Sequence, residues 1–392
     1  MTLDASRLIT ACSDDGFDAG ITITTRLEPV AGPGAPVKPA IYSGGVYQHD
    51  RRWWDLGEGT EKVAAIVIDN VPSQANRLEA ALAANRDRLG LPEIVLDLSS
   101  FEHLPVHLPR QISSFLFPHR NADSYLRDAE LDGSGFLKTE VGKRLFGATA
   151  TQPAALFEWM PQALLFGFWQ SHLGTKRAQT KLARSWVSEI VGLDPATTDT
   201  KALGVKGDPL NLSIDTTVAF DEADVTGWQF ADEAKKGATK ERLSEIGHGQ
   251  VPVEAPTAAV SFRAIVQQST VSFAGLRRIE ADTGEANAAG RALLAAMGLV
   301  AHVAAFGRPF SLRSGCDLRP VESEWTWRGE SEDSAIEPLD LGSAEELFMA
   351  CATAAEGAGL PVGSQWPDPL LVAPGAGLAR VIERAWPNLD AD

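Results

Sequence analysis

No two cysteines in this sequence stand near one another. Cys12, Cys316 and Cys351 are the only three in 392 residues. Without a C-x-x-C pair there is neither a zinc ribbon nor a disulfide framework, so buried or free thiols in a reducing compartment are the plain reading. Long apolar runs are also missing, and no window approaches the ~18 consecutive apolar residues of a membrane helix. The opening MTLDASRLITACSDDGFD has no basic segment followed by an apolar one. It does not read as a signal peptide, and a cytoplasmic location with no membrane partner is expected. No Walker loop, G-x-S-x-G elbow or G-x-G-x-x-G fingerprint occurs. Residues Asp128 to Glu140 imitate a calcium loop, but Glu130 stands where Asp or Asn is usual. The twelfth position is Thr139, with Glu140 one residue too late. His103 and His107 have the i, i+4 spacing of a metal pair, yet Pro105 between them opposes the helix that would present both. No cofactor, metal or catalytic residue is expected.

Positive charge is scarce as well. The formal net charge is −17, which by itself argues against nucleic acid as a partner. The distribution matters more than the total. From Val321 to Asp392 three arginines face fourteen acidic residues, a net of −11. From Arg110 to Ile190 ten basic residues face seven acidic ones, a net of +3. Exposed charges act over about one Debye length, ~8 Å at physiological salt, so a local basic groove can work on an acidic chain.

What is present suggests mixed secondary structure. An apolar fraction of 44% supports a sizeable core. At roughly 150 residues per domain the length fits two or three units, or one elaborated domain. GITITTRLEP (20–29), VAAIVI (63–68) and EIVLDL (93–98) read as strands. Residues 40–62 read as a loop or short hairpin. A helix is predicted from Ser73, taken as its N-cap, to Arg88, and a second over 120–130. ALLFGFW (163–169) reads as a core strand. Residues 195–245 look like a projecting insertion, and VSFRAIVQQSTVSF (260–273) alternates as a strand pair would. Asn287 to Ala305 is an alanine-rich amphipathic helix, and FSLRSGCDL from Phe310 is a last core strand. Alternating strands and helices point to an α+β sheet domain with helices on one face.

Four clusters carry candidate chemistry. Gln74, Asn76 and Arg77 sit where a buried strand meets a helix, a place that suits phosphate; a plain capped helix start is the alternative. His119, Arg120 and Arg127 would form a stripe if 120–130 is helical. Surface pairing of Arg127 with Asp123 or Asp128 is the alternative. Lys176, Arg177, Lys181 and Arg184 are the densest basic stretch, read as a loop leading into a helix that also bears Ser188. Such residues suit an irregular RNA backbone, or simply a solvated face. His248 lies between Gly247 and Gly249, which allows a close nucleic-acid contact or a tight turn.

Seven segments occur in an order that resembles one family. They are IDNVPSQANRLEAAL, FPHRNADSYLRDAELDGSGF, PQALLFGFWQSH, KLARSWVSEIVG, LSEIGHGQVP, VSFAGLRRI and FSLRSGCDLRP. Together they resemble the RAMP-superfamily backbone subunit of type I-G (formerly I-U) CRISPR systems. The resemblance runs from about Ile66 to Pro320 and is carried by the ordered set. It implies an RRM-like (ferredoxin-like) palm over 1–320, with fingers at about 30–160 and a thumb-like insertion at about 195–250. Residues 321–392 would pack on the palm or on a neighbouring subunit, pinned by Trp325, Trp327 and Trp386. Such subunits stack head to tail along a guide RNA, fold a thumb over it at intervals, and leave guide segments free to pair with target DNA. The implied partners are guide RNA, target DNA, further copies of the chain, a large subunit, a fused processing and cap subunit, and a helicase-nuclease. On this reading the clusters at 74–77, 119–127, 176–184 and 248 contact RNA. A metal-dependent ribonuclease like the type III relatives, and an acidic protein-interaction module without RNA, are the other classes to weigh.

Overall fold

The structure is a computed structural model. It describes residues 1–57, 59–171, 180–196, 204–206, 210, 217–221, 224–233, 239–243, 245, 248, 251–253 and 259–386. The chain is α+β and is organised on one eight-stranded sheet. Its strands are β1 (Gly20–Pro29), β2 (His49–Asp55), β3 (Thr60–Asp69), β4 (Trp186–Ala196), β5 (Ser261–Ser272), β6 (Phe310–Arg313), β7 (Cys316–Arg328) and β8 (Asp333–Ile336). They lie in the order β6-β7-β1-β5-β4-β3-β2, with β8 on the flank of β7. The four strands β7-β1-β5-β4 are antiparallel throughout. With a helix following the first and another following the third, this is the βαββαβ order 4-1-3-2 of the RRM-like, ferredoxin-like fold.

Four helices lie on or around this sheet, α1 (Ala5–Cys12), α2 (Val71–Ala84), α3 (Gly284–Phe306) and α4 (Leu341–Gly357), and a further one, α5 (Ala376–Ala385), follows the C-terminal strand Leu370–Pro374. The first four start on side-chain caps, Asp4, Asn70, Thr283 and Asp340, each accepting from a backbone N–H of the first turn. The helix predicted from Ser73 begins at Val71 instead. Asn70 takes the capping role and Pro72 is tolerated in the first turn, while the Ser73 hydroxyl is spent on Asp69.

Helix α3 is the centre of the core. It is long and apolar enough to cross a membrane by composition, but 83% of that window is buried inside the protein. Small residues let it approach the sheet closely. A Cβ on Gly298 would stand 2.3 Å from the Trp186 ring, so only glycine fits there. On the sheet face beneath α2 and α3 a buried polar chain replaces part of the apolar packing. The Gln74 carbonyl accepts from Ser188 (2.9 Å) and Gln267 (2.8 Å), Ser188 meets Ser269 (2.8 Å), and Ser269 reaches His302 Nδ1 (3.4 Å).

Burial holds the His302 imidazole far below its ordinary value, at about 4. A depressed histidine pKa means the folded protein prefers the neutral ring. Stability is then fully present above the unfolded value near 6.5 and drains away as pH falls toward 4. The expected loss is roughly 3 kcal/mol between those two pH values. Urea titrations across this range should show that slope, and it should vanish in His302→Leu relative to the wild type. An unchanged slope in the variant would assign the acid sensitivity elsewhere.

Several local expectations are corrected. ALLF does not extend as a strand. Pro161–Phe166 is a short helix, and the chain turns at Gly167 into a three-residue strand, Phe168–Gln170. Lys181 and Arg184 are not helical, because Thr180–Leu182 is a strand paired with Phe168–Gln170 and Arg184 precedes β4. Residues 120–130 break into a 3-10 turn (Arg120–Ala122), one helical turn (Ser124–Arg127) and a strand (Ala129–Leu131). Residues 260–273 make one long strand, not a pair, because β1 and β4 flank it on both sides. The hairpin at 40–62 is longer than expected, with β2 pairing along β3 from His49↔Ile66 to Asp55↔Thr60.

The chain continues beyond β8. Leu370–Pro374 pairs in parallel with Ile94–Asp97 and antiparallel with Ala129–Leu131, so the C-terminal region returns to the segment inserted between β3 and β4. β7 runs through residue 320, and Trp325 and Trp327 are core residues while Trp386 is 41% exposed. All three cysteines are buried and free. Burial pushes the Cys12 and Cys351 thiols up to about 12 and Cys316 up to about 11.

Candidate nucleic-acid interface

The two basic segments 118–120 and 181–184 meet in space. They line one open groove of about 690 Å³ together with Phe166, Trp169, Ser171 and Val187. The wall is a small hairpin whose residues alternate as a half-buried ribbon must. Phe168 and Leu182 are paired and buried, whereas Trp169 and Lys181 are paired and face outward. The Lys181 ammonium lies 5.7 Å from the centre of the Trp169 ring, and that ring is 60% exposed. His119 is exposed on the same groove.

A buried ion pair fixes the floor. Arg120 adopts φ +54°, a left-handed conformation unusual for a side-chain-bearing residue. That backbone directs its guanidinium inward, where it makes two bonds of 2.7 Å to the Glu79 carboxylate and one of 3.0 Å to the carbonyl of Gly167. Gly167 itself has φ +75°, and a Cβ there would come within 2.5 Å of the Leu182 carbonyl. Helix α2, the Arg120 turn and the hairpin are thereby locked together. Burial pushes the Glu79 carboxyl above the ordinary carboxylate range, and Arg120 pulls against it.

Arg184 stands differently. Among the described residues neither it nor Lys181 has a carboxylate within ion-pair distance. Burial first, then the neighbouring Arg120, hold its guanidinium below the ordinary value, with Glu79 pulling the other way. Arginine stays protonated at any working pH, so Arg184 keeps its positive charge on the groove wall, open to an anion.

The remaining predicted residues fall elsewhere. Gln74 is fully buried in the polar chain under the sheet and offers no donor to a ligand, because its amide nitrogen is bound to Asp69 at 2.6 Å. Asn76 is exposed on α2. Arg77 donates to Asp69 (2.9 Å) and to the Leu312 carbonyl (2.9 Å), which leaves its side chain 29% exposed. Arg127 pairs with its neighbour Asp128 at 2.6 Å, and the broken helix removes the stripe it was to share with Arg120. His248 is exposed with its ring 6.0 Å from that of Trp228. Lys176 and Arg177 lie outside the described residues. Trp169 went unnoticed in the sequence, where its alternation with Phe168 and Gln170 spans only three residues and gives little signal. Among the described residues no three His, Cys, Asp or Glu side chains gather as a metal-binding group.

Residues 21–196 match the family model described as CRISPR-associated protein GSU0053. The matched segment begins in β1, ends with β4 and contains the whole groove. It also contains the first four of the seven motif segments. No curated protein matches the chain.

Proposed function

We propose, from the match of residues 21–196 to the family model of CRISPR-associated protein GSU0053, that this chain is a guide-RNA-binding backbone subunit of a type I-G effector complex. The subunit assembles head to tail along the guide and presents it for pairing with target DNA, as a scaffold without catalysis of its own. The large subunit, the fused processing and cap subunit and the helicase-nuclease are its partners in the cytoplasm. The observation that carries the reading is the groove, where His119, Lys181 and Arg184 converge on a chain of net charge −17. An acidic protein that keeps two cations free of carboxylates in one groove has a use for them against phosphate.

The other residues divide by availability. Asn76 and His248 are exposed and able to touch RNA, and Lys176 and Arg177 belong to the same proposed set of RNA contacts. Arg77, Arg120 and Gln74 act beneath the surface, holding the elements that shape it. The insertion at about 195–250 serves as the thumb and residues at about 30–160 supply the fingers. The acidic region after residue 320 lies away from the guide, since long-range repulsion would otherwise oppose assembly.

Reversing both Lys181 and Arg184 to glutamate tests the reading. RNA that co-purifies with the co-expressed complex should fall sharply. The slope of log affinity against log salt should flatten by about 1.4, at roughly 0.7 per lost contact to a single strand. RNA retention equal to wild type at several salt concentrations would remove the groove from the guide path.

A further inference from the structure

We infer that Trp169 is a stacking platform for an unpaired nucleobase, so that the groove takes single-stranded RNA by its bases as well as its phosphates. This rests on the proposed RNA path and adds the chemical form of the ligand. Three observations carry it. The indole is 60% exposed on an open groove, where a large aromatic side chain would ordinarily be turned inward. Its cross-strand partner Lys181 lies over the ring at 5.7 Å, so the aromatic surface and a cation are presented side by side. Val187, 42% exposed, extends the apolar surface on the same wall, and Arg184 stands free of carboxylates beside it.

The palm sheet makes the location informative. RRM domains stack bases on aromatic side chains of their two central strands. Here the open faces of β1 and β5 carry Thr22, Thr24, Gln268 and Thr270, and the one aromatic residue in these strands, Phe262, is buried. The sheet offers no platform at that place. The hairpin beside it does, with Lys181 paired across from the ring and Arg184 lining the same groove. A base stacked on tryptophan is recognised by its π-face, so the contact is indifferent to base identity. That property suits a scaffold which must accept any guide sequence. A duplex, whose bases are already stacked, cannot use it. The flanking cations favour nucleic acid over a proline-rich or apolar peptide as the occupant.

Binding of the full chain to three probes separates the possibilities: oligo(U), an oligo(U) of equal length carrying abasic sites, and duplex RNA of equal length. Trp169→Leu should weaken oligo(U) binding by about 5- to 150-fold, the range for loss of one stacked base. Its salt slope should match wild type, because no phosphate contact is lost. Trp169→Phe should keep most of the affinity. On the abasic strand Trp169→Leu and wild type should bind alike, and duplex should bind wild type more weakly than oligo(U). Wild-type affinity of Trp169→Leu for oligo(U), or an equal loss on the abasic strand, overturns the platform. So does duplex binding as tight as single-strand binding. If Lys181→Glu with Arg184→Glu still weakens binding in those cases, the groove stands without the platform. If that double variant also binds as wild type, or wild type binds none of the probes, both readings fail. Trp169 is largely exposed, so melting temperatures of its variants should stay within a degree or two of wild type and exclude misfolding as the cause.

Discussion

Asp69→Ala should lower the unfolding free energy by about 3–5 kcal/mol, the cost of breaking a buried charge network on one side. The Asp69 carboxylate has no exposed surface and accepts from Ser73 (2.9 Å), Gln74 (2.6 Å), Arg77 (2.9 Å) and Arg313 (2.8 Å). Arg313 also donates to the carbonyls of Lys38 and Ile68. One carboxylate therefore joins the end of β3, the first turns of α2 and the end of β6. Removing it leaves two guanidiniums facing one another with no counter-charge and frees the Gln74 amide that organises the polar chain beneath the sheet. Arg77→Ala should cost less, since Arg313 still neutralises the carboxylate. Urea unfolding of both variants checks this: the midpoint should drop further for Asp69→Ala, with little change in m. Equal midpoints for Asp69→Ala and wild type would show that the network adds no net stability.

Glu79→Ala should have a comparable effect, about 3–5 kcal/mol, because it strands the buried Arg120 charge. The consequence differs in kind, since this pair forms the floor of the groove. Arg120 also lies over the Phe166 ring at 5.6 Å and holds the Gly167 carbonyl. Loss of its carboxylate partner should loosen the hairpin that carries Trp169 and Lys181. Limited proteolysis within 166–184 should therefore accelerate along with the fall in unfolding midpoint. The double variant Glu79→Ala, Arg120→Met should recover much of the stability, because no uncompensated charge remains inside. A double variant as unstable as the single one would mean that lost packing, not the stranded charge, dominates.

Much of the architecture was legible. β1, β3 and the helix at 284–306 follow from β-branched runs, a short apolar run and an alanine-rich periodicity, all of which act over a few neighbouring residues. The misreadings cluster between 120 and 190. Leu182, Trp186 and Ile190 recur every four residues, as on a helix face, yet Trp186, Ser188 and Ile190 also alternate as on a strand. Local spacing satisfies both patterns. Pairing with β5 selects the strand, through contacts such as Ile190↔Gln267 that lie far apart in the chain. ALLF is too short for its period to separate helix from strand.

By itself the sequence determined that the protein is mixed α+β, has no C-x-x-C pair, and concentrates its positive charge in the middle and its negative charge at the end. The ordered motifs pointed to the family as well. Only the tertiary structure decided which cations are free. Arg77, Arg120, Arg127 and Arg184 are equivalent as letters. In space the first three are spent on Asp69, Glu79 and Asp128, while Arg184 keeps its charge for the groove. Glu79 stands 41 residues from Arg120, and only packing α2 against the 3-10 turn brings them to 2.7 Å. Coulomb energy depends on distance and on the surrounding dielectric, and the fold sets both.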